Sequence, residues 1–206
     1  MGIYSKYIFP RLVDWTLGTQ DVGELRSELL SEVRGKVLEI GFGTGLNLPH
    51  YPKSVKELHI VDPNPGMHAL ALRRMAKSKI KIRGHVLKGE SLPHKDETFD
   101  SVVCTFTLCS IAMVAQALWE VRRVLKPHGR FFFLEHGLSP EPKIQVWQHR
   151  LTPIQKWIGD GCHLDRPITM LVEAVGLKVE EVRNFYFKAF PRFLGYLYLG
   201  TAEKCS

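Results

Sequence analysis

The sequence predicts an α/β protein built around a mainly parallel sheet. Short apolar runs that end in glycine, proline or polar residues alternate with segments whose apolar residues recur at helical spacing. This alternation occurs five times, which is typical of right-handed parallel crossovers. The 206 residues suffice for one domain. Hydrophobic residues make up 45% of the chain and charged residues 24%, which excludes a disordered, collagen-like or coiled-coil protein.

Five segments are predicted as strands, because each is a short run typical of a strand that enters the core. They cover residues 37–40, 58–61, 85–87, 101–104 and 130–135. Apolar spacing predicts helices at residues 22–33, 67–75 and 111–125. Pro63 and Pro65 suit the start of the second of these helices, and Pro127 with Gly129 ends the third.

The region after His136 differs in character. It is polar, rich in tryptophan, histidine and proline, and only loosely periodic, so it predicts one short helix at residues 167–175. Residues 177–187 and 193–199 are predicted as two strands, which pair more easily antiparallel because they lie close together in sequence. No repeat or linker divides the chain, so we expect a single domain over residues 1–206.

Charge and cysteine content argue against several classes of function. The formal net charge of +7 suits an anionic ligand, but there is no dense run of lysine and arginine, so we expect no nucleic-acid partner. The cysteines at positions 104, 109, 162 and 205 follow no zinc-binding spacing, so no metal site is predicted. We expect a cytoplasmic protein: residues 1–10 show no signal peptide, and the uncharged stretch 101–119 contains polar residues unsuited to a membrane span.

The end of the first predicted strand is the most informative segment. Gly41, Gly43 and Gly45 allow a tight turn and the close approach of a ligand to the backbone. We expect a helix to begin near Gly45, where its free N–H groups would face that ligand. Leu46 stands where a dinucleotide-binding fingerprint needs glycine, so NAD is disfavoured, and no Walker A sequence follows.

Two carboxylates narrow the choice of ligand. Glu39, just before the glycines, would repel a pyrophosphate and attract an ammonium group. Asp62 ends the second strand, where its carboxylate can accept hydrogen bonds from both hydroxyls of a ribose. Each feature alone has an ordinary explanation, since an aspartate after a strand often caps a helix. Together they indicate S-adenosylmethionine, which has an ammonium group and a ribose but no pyrophosphate.

Residues 35–136 resemble the class I S-adenosylmethionine-dependent methyltransferases. The resemblance lies in residues 39–45 (EIGFGTG), 61–67 (VDPNPGM), 89–93 (GESLP) and 120–130 (EVRRVLKPHGR). It implies a Rossmann-like, seven-stranded, mostly parallel sheet in the order 3-2-1-4-5-7-6, with strand 7 antiparallel and helices on both faces.

The same resemblance implies which residues bind the cofactor. Lys88 departs from the family, because many relatives have an aspartate there that accepts a hydrogen bond from the adenine amino group; either Glu90 or the backbone takes that role. The predicted cofactor-binding residues are Glu39, Gly41, Phe42, Gly43, Thr44, Gly45, Asn47, Asp62, Pro63, Asn64, Met67, Gly89, Glu90, Thr105 and Phe106.

A narrower resemblance extends over nearly the whole chain. Residues 103–110 (VCTFTLCS), 134–136 (LEH), 147–148 (WQ) and 160–166 (DGCHLDR) are similar to the methyltransferase-like 7 group. Members of that group methylate hydrogen sulfide or small alkyl thiols, so the resemblance implies a small thiol as the methyl acceptor. Its animal members have an N-terminal membrane anchor, which we do not expect in this chain.

Two alternatives to thiol methylation stay open at this point. The first is a methyltransferase that acts on a quinone precursor, a phenol, an amine or a lipid headgroup. The second is a non-catalytic protein that binds S-adenosylmethionine. We expect a monomer in every case.

His136, Cys162 and His163 are the predicted catalytic residues, and Asp160 is a further candidate. His136 follows the fifth strand at the edge of the sheet where ligands bind in such folds, although a histidine there is often only a loop or capping residue. The ordinary alternative for Cys162 is a small buried hydrophobic residue. Cys104 and Cys109 are expected to pack beside the fourth strand.

Two segments are expected to border the site. A helical segment over about residues 1–20 contains Tyr4 and Tyr7, which either close over the cofactor as a lid or anchor the core. An insertion over about residues 137–170 lies on the acceptor side. The reaction is expected to be an in-line displacement, in which the protein mainly positions the acceptor and the cofactor.

Overall fold

A single sheet of seven strands forms the centre of the molecule. The structure is a computed structural model that describes residues 2–205, without the side chains of His68 and His85. The two ends of the predicted domain, residues 1 and 206, lie outside this range. The strands are β1 (Val37–Ile40), β2 (Glu57–Val61), β3 (Lys81–His85), β4 (Phe99–Thr105), β5 (Leu125–His136), β6 (Leu177–Tyr186) and β7 (Tyr196–Lys204). Their order is β3-β2-β1-β4-β5-β7-β6, and β7 runs antiparallel to both neighbours. The predicted strand order and the orientation of strand 7 are confirmed.

Helices cover both faces of this sheet. They are α1 (Phe9–Leu17), which follows a short π-helix (Tyr4–Ile8), α2 (Gln20–Leu30), α3 (Pro65–Lys77), α4 (Val114–Val124), α5 (Pro142–Ile158) and α6 (Ile168–Ala174). Successive residues of β5 point to opposite faces. Phe132 packs with α2 and α3, whereas Phe131 and Phe133 pack with α4 and α6. Within residues 2–205, no helix is both long and apolar enough to cross a membrane.

Several predicted boundaries are wrong by a few residues. β3 lies at residues 81–85 instead of 85–87, because pairing with β2 defines it and an edge strand needs no apolar run. β5 begins at Leu125, opposite Phe99, and its pairing with β4 becomes regular only from Arg130. β7 begins at residue 196 instead of 193 and continues to residue 204.

Helix α5 is the longest element that the sequence did not predict. It buries only Gln148 and Thr152, and both Trp147 and Trp157 are exposed. A helix without a continuous apolar stripe gives little periodic signal. This explains why the sequence around it is only loosely periodic.

The turn after β1 also differs from the prediction, because no α-helix begins near Gly45. Residues 41–47 form turns instead, and only a short 3₁₀ helix (Leu48–His50) follows. Gly41 and Gly43 have φ angles of +75° and +58°, in the left-handed region that favours glycine. The Gly41 N–H donates to the Val61 carbonyl at 2.8 Å, so the chain turns toward the end of β2.

We expect Gly41→Ala to destabilise the protein more than Gly43→Ala. A Cβ at position 41 would lie 2.0 Å from Thr107 Oγ1, whereas a Cβ at position 43 would meet nothing closer than the Gly41 carbonyl at 3.9 Å. Both variants lose about 1–2 kcal/mol from the left-handed backbone, and only Gly41→Ala adds about 1–3 kcal/mol of overpacking. Urea unfolding of both variants measures the difference; equal losses would contradict this steric argument.

Candidate active site

A cavity of about 560 Å³ opens at the carboxyl ends of the parallel strands. This is the edge of the sheet at which α/β folds bind their ligands. Its wall combines the turn after β1, the ends of β2, β4 and β5, and apolar residues of α1. Gly45 does not line it: its N–H donates to the Phe42 carbonyl at 3.0 Å, and its carbonyl accepts from the Leu48 N–H at 3.2 Å. The other predicted cofactor-binding residues all line the cavity: Glu39, Gly41, Phe42, Gly43, Thr44, Asn47, Asp62, Pro63, Asn64, Met67, Gly89, Glu90, Thr105 and Phe106.

The carboxylate of Asp62 connects two parts of the cavity wall. One oxygen accepts a hydrogen bond from the Gly43 N–H at 2.8 Å, and the other accepts from the Asn64 N–H at 2.7 Å. Asp62 therefore holds the glycine-rich turn against the start of α3. This differs from the expectation of free N–H groups at a helix start, because the Gly43 N–H is already bonded. A carboxylate oxygen can accept more than one hydrogen bond, so these contacts are compatible with a ribose.

Asn64 has a structural role at the start of α3. Its side-chain oxygen accepts from the Gly66 N–H at 2.9 Å and caps the helix, in which Pro65 is the first residue. Its side-chain nitrogen donates to the Ser5 carbonyl at 2.8 Å. The asparagine thus attaches the N-terminal segment to the helix beside the cavity.

Glu39 is the buried carboxyl group at the base of the cavity. Only 1% of its surface is exposed. It accepts hydrogen bonds from the Asn47 side-chain nitrogen at 2.9 Å and from the Tyr51 hydroxyl at 2.7 Å. Burial raises the pKa of Glu39 to about 7, although both hydrogen bonds and the nearby Arg26 lower it. The charge of this group therefore changes near neutral pH.

Arg26 is a functional candidate that our sequence analysis missed. Its Nη1 donates to Asn47 Oδ1 at 2.6 Å and to Thr105 Oγ1 at 3.0 Å, while its buried Nε has no hydrogen-bond partner among the described residues. Burial lowers its pKa to about 10, so the guanidinium remains charged at neutral pH. The sequence does contain a signal, because this arginine interrupts the apolar face of α2 between Val22 and Leu30.

Cys109, His136 and Cys162 meet in the wall of the same cavity. The His136 Nε2 and Cys162 Sγ atoms lie 2.8 Å apart, and all three side chains place a nitrogen or sulfur within 4.8 Å of the others. Cys104 packs in the core on β4 as expected, but Cys109 does not simply pack there. We call these three residues the Cys–His–Cys cluster.

The members of the Cys–His–Cys cluster shift one another's pKa values. A hydrogen bond from Cys162 lowers the pKa of the Cys109 thiol well below its usual value, and the nearby His136 lowers it further. The same hydrogen bond raises the pKa of Cys162. Burial lowers the pKa of His136, but Cys109 raises it by more, so the net shift is upward. Cys109 and His136 thus each stabilise the charged form of the other.

Glu135 positions the loop that contains Cys109. Its fully buried carboxyl group accepts from the backbone N–H groups of Thr107 at 2.8 Å, Leu108 at 2.9 Å and Cys109 at 3.4 Å. Burial raises the pKa of Glu135, whereas these three donors lower it. Because His136 is the next residue of β5, the same strand end supplies the imidazole and supports the loop.

His163 and Asp160 occupy different places. His163 does not line the cavity; its backbone N–H donates to the Cys109 carbonyl at 2.8 Å, and its ring lies 3.8 Å from the Asp165 carboxylate. Asp160 lines the cavity and accepts from the Ser5 hydroxyl at 2.8 Å. The structure therefore brings Cys162 and His136 together with Cys109, and leaves His163 behind this cluster.

The N-terminal segment lies beside the end of α5 and one wall of the cavity. The Tyr4 hydroxyl donates to the Ile158 carbonyl at 2.6 Å. Tyr7 is half-exposed and does not line the cavity. Leu12 and Val13 of α1 do line it, so this segment supplies an apolar wall.

We expect Glu135→Ala to lower the free energy of unfolding by about 3 kcal/mol or more, because three buried backbone N–H groups lose their acceptor. Glu135→Gln keeps an oxygen for Thr107 and Leu108, so we expect a loss of about 1 kcal/mol. Denaturant unfolding of both variants measures these values. If alanine and glutamine cost the same, the carboxyl group does not support the loop.

Comparison with known proteins adds independent support. A family model described as a methyltransferase domain matches residues 38–133. Thiol S-methyltransferase TMT1B of Rattus norvegicus is 38% identical over 176 residues, which cover 78% of this chain and 71% of that protein. Thiol S-methyltransferase TMT1A of Homo sapiens is 35% identical over 183 residues, which cover 81% of this chain and 75% of that protein.

The fold has close counterparts among solved structures. The crystal structure of YcgJ from Bacillus subtilis has a TM-score of 0.67 and 17% sequence identity, and the match covers 91% of this chain and 100% of that chain. At this identity the similarity concerns the fold alone. The sheet order, the cavity at its carboxyl edge and the two thiol S-methyltransferase relatives agree with one another. The chain belongs to the class I S-adenosylmethionine-dependent methyltransferases, and within them to the thiol S-methyltransferase family.

Proposed function

We propose that this enzyme transfers the methyl group of S-adenosylmethionine to the sulfur of a small thiol. The observation that supports this most directly is the Cys–His–Cys cluster, which shares one cavity with the residues proposed for the cofactor. The names of the relatives at 35% and 38% identity agree with this acceptor. A thiol also makes modest demands on the protein, because its pKa of about 8.5 leaves a useful fraction of thiolate at neutral pH.

The cofactor suits the charges in the cavity, and the buried guanidinium of Arg26, which lines the cavity, is the sharpest test of this fit. A buried charge is costly unless an opposite charge accompanies it. In our proposal this guanidinium faces the carboxylate of the methionyl group, while Glu39 faces the ammonium. Asp62 accepts from the ribose hydroxyls, and Asn64 with Met67 borders the adenine.

When bound, the cofactor supplies an electrophilic methyl group on a sulfonium. The residues of this chain then have to place the acceptor sulfur in line and exclude water. His136 lies in the cavity wall, where its side chain can help to position that sulfur. Leu12, Val13 and Leu194 provide an apolar surface for the hydrocarbon part of an alkyl thiol.

In this proposal the segment of about residues 1–20 closes the cavity as a lid, and residues 137–170 form the acceptor side. Two contacts support this arrangement, because they connect the segments to each other. They are the hydrogen bonds from Tyr4 to Ile158 and from Ser5 to Asp160.

A panel of acceptors tests the proposed function. The protein is incubated with S-adenosylmethionine and, separately, with hydrogen sulfide, small alkyl thiols, catechols and amines, and S-adenosylhomocysteine is quantified. We expect product with the thiols only. His136→Ala should lower turnover more than cofactor affinity, whereas Cys205→Ser, at an exposed cysteine outside the cavity, should change neither.

Two outcomes of this panel would contradict the proposal. Product with catechols or amines but not with thiols would show that the acceptor is not a thiol, while the assignment as a methyltransferase would stand. Cofactor binding without product from any acceptor would favour a non-catalytic binding protein. Calorimetry with S-adenosylmethionine on the folded protein separates this second outcome from a failure to bind the cofactor.

The affinity for S-adenosylmethionine should rise with pH between about pH 5 and pH 7. Burial raises the pKa of Glu39 to about 7, so this group holds a proton over most of that range and has to release it to face an ammonium group. We expect an increase of up to about tenfold per pH unit, together with release of a proton on binding. Calorimetry in buffers of different ionisation enthalpy measures both quantities.

Glu39→Gln is the matched control for this pH dependence. It preserves the size of the side chain and can accept the hydrogen bond from Tyr51. We expect weaker binding that no longer varies over this pH range. A wild-type protein with constant affinity between pH 5 and pH 7 would show that Glu39 does not face the ammonium group.

A further inference from the structure

We propose that the Cys–His–Cys cluster binds zinc and leaves one coordination position open to the cavity. The two sulfurs of Cys109 and Cys162 and a ring nitrogen of His136 lie within 4.8 Å of one another. In a tetrahedral site with Zn–S of about 2.3 Å and Zn–N of about 2.0 Å, two sulfurs lie about 3.8 Å apart and a sulfur and a nitrogen about 3.5 Å apart. The His136 Nε2 and Cys162 Sγ atoms, now 2.8 Å apart, would separate by about 0.7 Å to reach this geometry.

The three ligands come from separate parts of the fold. Cys109 lies in the loop after β4, His136 ends β5, and Cys162 follows α5. No short spacing pattern connects them, so a metal site could not be predicted from the sequence. Zinc sites in proteins are recognised by the chemistry of their ligands, and two cysteines with one histidine are a known catalytic set.

The surroundings of the two sulfurs suit thiolate ligands. The Gln155 side chain donates to Cys162 Sγ at 3.6 Å, and the Ser110 hydroxyl lies 3.5 Å from Cys109 Sγ. Arg166, which donates to the Leu108 carbonyl, places a positive charge near both cysteines. Such outer contacts orient the ligands of a metal and tune its affinity.

The charges of the cluster also balance when zinc is bound. Two thiolates and a neutral imidazole offset the two positive charges of the ion, so the buried site is neutral overall. Without an ion, two thiolates cannot remain together in a buried site, because like charges repel strongly at low dielectric. A bound ion would therefore allow both cysteines to be thiolates at the same time.

Three protein ligands are the number found in catalytic zinc sites, in which the fourth position takes water or substrate. Resting on the proposed function, we assign that position to the sulfur of the acceptor thiol. On binding the ion the thiol releases its proton to solvent. A lone pair of the bound thiolate then forms the new C–S bond, while the bond from the methyl group to the sulfonium breaks and its electron pair remains on S-adenosylhomocysteine.

Metal analysis and cobalt substitution test the site without any activity assay. The 206-residue protein, purified with a reductant and without chelators, should contain about one zinc per chain when its metal content is measured by mass spectrometry. After removal of zinc, titration with Co²⁺ should give a tetrahedral cobalt spectrum with a thiolate charge-transfer band at one equivalent. Copper or iron in place of zinc would contradict the assignment.

Matched single-thiol variants locate the site. Cys109→Ser and Cys162→Ser should each weaken Co²⁺ binding by about 100-fold or more and reduce the charge-transfer band. Cys205→Ser removes an exposed cysteine and should bind as the wild type does. Circular dichroism and S-adenosylmethionine affinity confirm that the variants are folded. Unchanged Co²⁺ binding in both cluster variants, or no thiolate band in the wild type, would overturn the proposal.

The role of the ion in catalysis is tested separately from thiol methylation itself. We expect the zinc-free enzyme to lose at least about tenfold in thiol turnover and to recover when one equivalent of zinc is restored. Full activity without zinc would show that zinc has no catalytic role, and it would not contradict the proposed methylation of a thiol. Zinc binding in a protein that methylates no thiol would overturn the proposed function and this role, but not the site.

Discussion

The acceptor end of the site depends on one buried carboxyl group. Glu135 accepts hydrogen bonds from three successive backbone N–H groups of the loop after β4, and the next residue along its strand is His136. A buried N–H without an acceptor costs about 1–3 kcal/mol, so the loop has little freedom to move away. This interaction sets the distance between Cys109 and the imidazole.

A second buried carboxyl group organises the cofactor end in a similar way. Glu39 lies on β1 and Glu135 on β5, and these two strands pair with opposite sides of β4. The side-chain nitrogen of Asn47 donates to Glu39 and also to Thr105 Oγ1, at the end of β4. Glu39 is thereby connected to the start of the segment whose later residues donate to Glu135. The segment from Thr105 to Cys109 is therefore fixed from both sides, which keeps the proposed cofactor and acceptor regions in a constant relation.

Each carboxyl group is accompanied by a buried arginine. Arg26 extends into the cofactor region from α2, and Arg166 reaches the loop near Leu108 from the other side of the site. Buried charges are costly unless they are paired or neutralised by a ligand. We expect the carboxylate of the methionyl group to complete this balance at Arg26, whereas Arg166 lies beside Glu135 and the two cysteines of the cluster.

Sequence patterns alone predicted the alternation of strands and helices and the glycine-rich turn, and they singled out the carboxylates at positions 39 and 62. These features depend on local periodicity and on residues close together in the chain. Resemblance to known methyltransferases added the strand order, which the structure confirms. Contacts in the folded chain show that Cys109, rather than His163, joins His136 and Cys162, and that Arg26 lines the cavity. Such contacts form when strand ends that are distant in sequence come together at one edge of the sheet, so no local sequence pattern predicts them. Helix α5 could also be recognised only in the folded chain, because its sequence has no continuous apolar stripe.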